Sequence, residues 1–528
     1  MKKRFLWMLA AILIYGTSTM LTSCSDNEDN PVGTFDPASV VGKWYVEAYQ
    51  HSTIGEGEDA FEFDKVAIYG NLNADGTGSW YAFFFNAYGN LIDTGNLFFG
   101  SGCHYTTTAD GGVHIVLDGE SSASLLMPSW DMTYRGGRLI SADANDLIEL
   151  SRITAEQDAL VQMWLRILGL GYGGEENIVD LSQLRSSYVA QDGDVLTGEY
   201  KVNGRISVAD GATVTLRNCK ILNNQTVVDR HPAIVCKGSA TLILKGDNEL
   251  KGGAGDYPAI YIQQGNTLTI GGYGTLLVSV HGMAAAIGSG NASDSKNSGN
   301  IVIKSGHINA YGSVQSAAIG SSQTGTCGDI TIEGGEVNAW GDTNGAGIGS
   351  GYYGKCGNIT IGNSLVMSYG GSNGSGIGGG SHGSCKTITI NGGTVKAYGG
   401  RNFPGIGVGN DSGNTCDGIK INGGDIYVEG GENGCIGMGA QMNSESKCGP
   451  IIISNKIKTL EVYNPGASGT NLRTVIFGET IEFGNTKQAL NFMLYLLVHL
   501  EKEYDEVKQD VHYEIFKDGK RFRITPLK

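Results

Sequence analysis

The sequence predicts an all-β protein. A small antiparallel barrel comes first, followed by a right-handed parallel β-helix of about eight coils with helical caps. Three observations predict it. An apolar three-segment motif recurs about every 29 residues across 192–460. Gly makes up 83 of the 528 residues and Pro only 9, so the chain has many residues suited to tight corners. Ahead of the repeats, 36–153 carries short β-rich runs separated by Gly and Asp turns. Hydrophobic residues at 40% are enough to fill a core, which excludes wholesale disorder. Gly does not recur at every third position, which excludes collagen. The net charge of −16, from 37 Lys+Arg against 53 Asp+Glu, lacks the basic footprint of nucleic-acid binding.

The N-terminus reads as an address. Lys2, Lys3 and Arg4 precede a short apolar stretch from Phe5 to Tyr15, too short to span a bilayer. Leu21-Thr22-Ser23-Cys24 follows and resembles the lipobox of bacterial lipoproteins. The resemblance implies cleavage of 1–23 and lipidation of Cys24. Residues 24–35, with Asp26, Glu28, Asp29 and Pro31, form an acidic tether. They are similar to the acidic signal that sends some lipoproteins to the outer face of the outer membrane. The expected location is therefore the outer membrane, facing the exterior, with the membrane engaged through the lipid alone.

Residues 36–153 form the expected barrel. Lys43-Trp44-Tyr45-Val46 opens it, and Val66–Leu72 and Gly78–Phe85 flank the turn Asn73-Ala74-Asp75-Gly76 as a hairpin. Further strands are expected at 95–106, 113–118, 131–134 and 146–151. Gly42-Lys43-Trp44 and the Asn73–Trp80 stretch resemble lipocalin-like domains. That implies a barrel able to carry a ligand, or one filled and used as a spacer.

Thr154-Ala155-Glu156-Gln157 reads as a capping box, opening a helix to about Leu168 with Leu160, Val161, Trp164 and Leu165 on one face. Within 154–191, a capping helix and linker, it is placed to cover the first coil.

In 192–460, Ala-Ile-Gly or Gly-Ile-Gly recurs with Ile at 287, 319, 348, 377, 406 and 436. Ile-x-Ile recurs from 301, 330, 359, 388, 419 and 451, and a third segment ends in an aromatic residue. Pro232-Ala233-Ile234 and Pro258-Ala259-Ile260 extend the pattern upstream. The same residue type at the same phase means stacked coils, with like side chains above one another at the ~4.8 Å strand spacing. These coils resemble the Gly-rich β-helix regions of bacterial surface proteins described as carbohydrate-binding or adhesin-like. Residues 461–528 are expected to cap the far end with strands, a helix over about 487–505, and a hairpin of Tyr513–Phe516 with Arg521–Ile524.

Cys327, Cys356, Cys385, Cys416 and Cys448 each stand three residues before an Ile-x-Ile. A ladder of buried thiols, some disulfides, or a metal site are all open readings. Cys-x-x-Cys spacing is absent, and neither a metal nor a cofactor is implied.

Tyr311, Trp340, Tyr369 and Tyr398 recur every 29 residues, with His281 one coil earlier. Alternation points them outward together with Asn309, Asn338 and Lys396. This is the candidate carbohydrate-binding surface: ring faces for sugar stacking, amides and an ammonium for hydrogen bonds. Stacking of the rings on one another, or docking of the C-terminal helix, is the competing reading. Asp329, Glu333, Glu336, Asp342, Asp417 and Asp425 are scattered, and no residue is assigned a catalytic role. The expected function is a cell-surface lipoprotein that binds carbohydrate, or a host or cell-surface ligand, without turnover. A polysaccharide lyase or glycoside hydrolase, and a structural spacer, are the alternatives.

Overall fold

The computed structural model describes residues 35–528, apart from 55–60, 93–99, 119–128, 142–148, 169–176, 201–204, 223–229, 253–255, 410, 412, 432–433, 440–445, 455, 466–472, 475, 478–480, 484–485, 489–494, 497–503, 509–510, 516–520 and 527–528. The signal segment 1–23, Cys24 and the tether to residue 34 lie outside the described residues. The chain divides into two compact units, Met1–Ala87 with Leu91–Gly173, and Tyr88–Asn90 with Gly174–Lys528.

The first unit is a closed antiparallel barrel of eight strands: β1 (Gly42–Ile54), β2 (Phe61–Leu72), β3 (Thr77–Phe85), β4 (Gly100–Thr107), β5 (Gly112–Leu117), β6 (Ser129–Arg135), β7 (Arg138–Ser141) and β8 (Glu149–Arg152). Trp44 pairs with Arg152 to close β8 onto β1. Side chains alternate between the interior and the outside. Trp44, Phe63, Ile68, Leu72, Trp80, Phe84, Ile115 and Leu139 are buried together inside, so the barrel carries a packed apolar core. The Trp44 indole donates to the Val40 carbonyl at 2.9 Å, fixing the turn Pro37–Val40 against the first strand.

The outward row Tyr45, Tyr69, Phe83 and Phe85 is buried as well. Helix α1 (Ala155–Leu168) covers it: Trp164 packs on Tyr45, Phe83 and Phe85 with ring centroids 4.8–6.4 Å apart. Lys43 binds Asp158 of the helix at 2.7 Å. This corrects the expectation of a helix capping the solenoid: α1 is the outer cover of the barrel. Its capping box forms as read, Gln157 and Thr154 exchanging hydrogen bonds.

The second unit is a parallel β-solenoid. One row of short strands carries Ile206, Ile234, Ile260, Ile287, Ile319, Ile348, Ile377, Ile406, Ile436 and Ile476 in register. A second row stacks Ile301, Ile330, Ile359, Ile388, Ile419, Ile451 and Ile481. A third places Ile308 on Val337, Val366 and Val395. The three rows meet in one continuous core. At one corner, side chains cap the backbone of the next coil. Asn300 Oδ1 accepts from the Asp329 N–H at 2.9 Å, and Asp329 Oδ1 from the Asn358 N–H at 2.7 Å.

At the start, Asn177–Asp180 pairs in parallel with Asp194–Tyr200. At the far end the pairing turns antiparallel: Ile457–Tyr463 pairs with Arg521–Pro526, which pairs with Val511–Ile515 as the expected hairpin. The helix expected over 487–505 is not what the described residues form. Thr486–Gln488, Tyr495–Leu496 and Tyr504–Lys508 are strands, and the rest of the stretch lies outside the described residues. Thr486–Gln488 folds back on Ile481–Phe483.

Candidate binding surface

The third row of strands builds the surface. His307–Tyr311, Glu336–Trp340, Leu365–Tyr369 and Thr394–Tyr398 stack in parallel without a register shift. Ile308, Ala310, Val337, Ala339, Val395 and Ala397 are fully buried, so the alternate positions face out. Register brings Ser279, Tyr311, Trp340, Tyr369, Tyr398 and Glu429 into one outward row. Leu277, Asn309, Asn338, Met367, Lys396 and Tyr427 form the adjacent row. His281 is not in line: Ser279 occupies that register, because the coil between Ser279 and Tyr311 is longer than the three that follow.

The four rings stack face to face. Tyr311 and Trp340 have centroids 4.5 Å apart with planes 3° from parallel. Trp340 and Tyr369 lie 5.6 Å apart at 1°, and Tyr369 and Tyr398 4.6 Å apart at 4°. At the far end Tyr427 leans from the adjacent row onto Tyr398, 5.7 Å away and tilted by 48°. Its hydroxyl donates to Glu429 Oε2 at 3.1 Å. Burial, with Tyr369 and Glu429 beside it, pushes the Tyr398 phenol above its usual range. The strip therefore presents ring edges along its length, while the faces contact one another.

Asn338 Nδ2 donates to Asn309 Oδ1 at 3.1 Å and to Glu336 Oε1 at 3.4 Å, uniting the two amides. Lys396 is exposed in the same row but separated from Asn338 by Met367. The neighbouring solenoid face is dressed differently. Its outward row runs Val302, Thr331, Thr360, Thr389 and Lys420.

Several of the acids singled out in the sequence serve the scaffold. Asp329 caps a coil, Glu333 pairs with Lys304 at 3.0 Å, Glu336 with His307 at 3.1 Å, and Asp342 Oδ1 caps Thr343. Cys356, Cys385, Cys416 and Cys448 stack in register as buried thiols outside any disulfide, and Cys327 is likewise buried and not disulfide-bonded. Burial pushes Cys219, Cys236 and Cys435 up to about 12.

Sequence reasoning missed a second aromatic group. Tyr353 stacks on His382 at 4.5 Å and 5°, with Tyr352 edge-on to both. Tyr353 and His382 occupy the same corner as Thr324 on successive coils, all three at φ of 52–54°. No aromatic periodicity marks this corner in the sequence, because Thr324 holds the third place.

A comparison with curated proteins and one with solved structures each find no match. The Beta helix repeat family model matches residues 301–323, 330–352 and 388–407. In these three segments, which carry the Ile-x-Ile and Ile-Gly rows described above, the chain is similar to that family.

Proposed function

We propose that this protein is a lipid-anchored outer-membrane surface protein whose solenoid recognises carbohydrate without turnover. The lipocalin-like barrel is its membrane-proximal part. One observation carries the reading. One outward row of the solenoid is aromatic over four successive coils and flanked by amides, while the row on the neighbouring face runs Val302, Thr331, Thr360, Thr389 and Lys420. Coil stacking alone does not require that difference, since both faces sit over the same aliphatic core. Aromatic rings beside amide donors and acceptors are the chemistry that binds sugars. The packed interior of the barrel supports a spacer role for that unit.

A structural spacer is the second reading. It is favoured by the mutual stacking of the rings, which stabilises adjoining coils by itself. Incubation of the full-length protein on a glycan array separates the two, since a spacer binds nothing. Reducing-end assays on polysaccharides that bind test the absence of turnover. Incorporation of labelled palmitate, abolished by Cys24→Ser, tests the anchor.

A further inference from the structure

We propose that the aromatic ladder is a binding site at one end only, where the open face of Tyr311 takes a single pyranose ring. This rests on the reading of the outer face as a carbohydrate surface.

A ring can stack on a sugar only through a face that nothing else covers. Both faces of Trp340 are taken, by Tyr311 and Tyr369. Both faces of Tyr369 are taken, by Trp340 and Tyr398. Tyr427 leans over the far side of Tyr398. Tyr311 differs. Its partner one coil earlier is Ser279, whose side chain is too short to reach across the ring. Tyr311 is accordingly 40% exposed, and Leu277 and Val314 are exposed at 38% and 44%. Leu277 stands in register with Asn309. The surface thus drops by one step, with Ser279 and Leu277 as its floor and the Tyr311 ring as its wall.

One polar group stands beside the step. Asn309 Oδ1 accepts from Asn338, while Asn309 Nδ2 has no partner among the described residues. Asn338 stands one coil further on, beside Trp340, and its Oδ1 is buried, so it faces away from the step. An open aromatic face next to a free amide donor matches a pyranose. The sugar offers an apolar C–H face and vicinal hydroxyls that both donate and accept. A hydroxyl flanking the stacked C–H face accepts from Asn309 Nδ2.

The test uses the full-length protein and defined probes. These are the methyl glycosides of glucose, galactose, mannose and N-acetylglucosamine, with β1,4-linked glucose and N-acetylglucosamine oligomers of two to six rings. Calorimetric titration should find a methyl glycoside that binds, with Kd changing by less than about threefold beyond two rings. Tyr311→Ala should weaken binding by about tenfold or more. Ser279→Tyr should extend the ladder, raise the melting temperature and abolish binding; a purely structural ladder would show only the first two effects. Binding unchanged in Ser279→Tyr overturns the proposal. Affinity that climbs tenfold or more with chain length also overturns it, placing an extended glycan along the ring edges and leaving the carbohydrate reading intact. Binding by none of the probes overturns both.

Discussion

Gly349 and Gly378 stand so close on adjoining coils that a Cβ on Gly349 would lie 1.9 Å from the Gly378 carbonyl oxygen. The contact repeats along the Ile-Gly row, and Gly349 also holds φ at 137°, which L side chains rarely adopt. Crowding and strain both act on the same backbone. Gly349→Ala is expected to cost more than about 3 kcal/mol, enough to lower the solenoid melting temperature by several degrees or to prevent folding. Thermal melts followed by circular dichroism check it, with Thr360→Ala on the outward face as a mild comparison.

Trp340 makes two of the three parallel stacks in the ladder. Each such pair contributes about 0.5–1.5 kcal/mol beyond area burial. Trp340→Ala is expected to destabilise the solenoid by about 1–3 kcal/mol, and Trp340→Tyr by less. Urea melts of the two variants give the difference directly.

Thr324 is β-branched and sits at φ 52°, in the left-handed region. Its side chain makes one long hydrogen bond, to Asn291 at 3.4 Å. Thr324→Gly relieves the strain at little cost in contacts and is expected to stabilise by about 0.5–1 kcal/mol. A rise in urea midpoint without a change in slope is the expected result.

Burial pushes Cys219, Cys236 and Cys435 from an ordinary value of 9.0 up to about 12. Below pH 9 these thiols are protonated in both folded and unfolded chains, and their contribution is fully present. Above it the unfolded chain ionises first, so stability falls as pH rises toward 12. The slope is about 1.4 kcal/mol per pH unit for each thiol. Melting temperature is expected to hold steady from pH 7 to 8.5 and to drop by pH 11. Cys236→Ala is expected to melt lower overall but with a shallower alkaline slope.

The isoleucine rows were legible because a side chain that must fill a narrow interior recurs at the same phase in every coil. Gly after each Ile was legible for the same reason, and the structure adds the carbonyl contact that excludes a Cβ. Outward placement of Tyr311, Trp340, Tyr369 and Tyr398 follows from alternation, whereas the tilt of each ring does not. Only the register and the rotamers reveal that the faces cover one another. The register partner of Tyr311, Ser279, is not legible, because the coil between them is three residues longer than the 29-residue repeat. Helix α1 was assigned to the solenoid because the outward barrel row of Tyr45, Tyr69, Phe83 and Phe85 was not recognised as an apolar face needing cover. Over 487–505 the apolar spacing predicts a helix, whereas Thr486–Gln488, Tyr495–Leu496 and Tyr504–Lys508 are strands, paired by partners that local spacing does not reveal.

The most direct measurement is a crystal structure of the protein soaked in the tightest-binding methyl pyranoside of the panel. The expected result is one sugar ring stacked on the open face of Tyr311, above Ser279, with a hydroxyl accepting from Asn309 Nδ2. Density along the ring edges of Trp340, Tyr369 and Tyr398, with the Tyr311 face bare, would contradict the account.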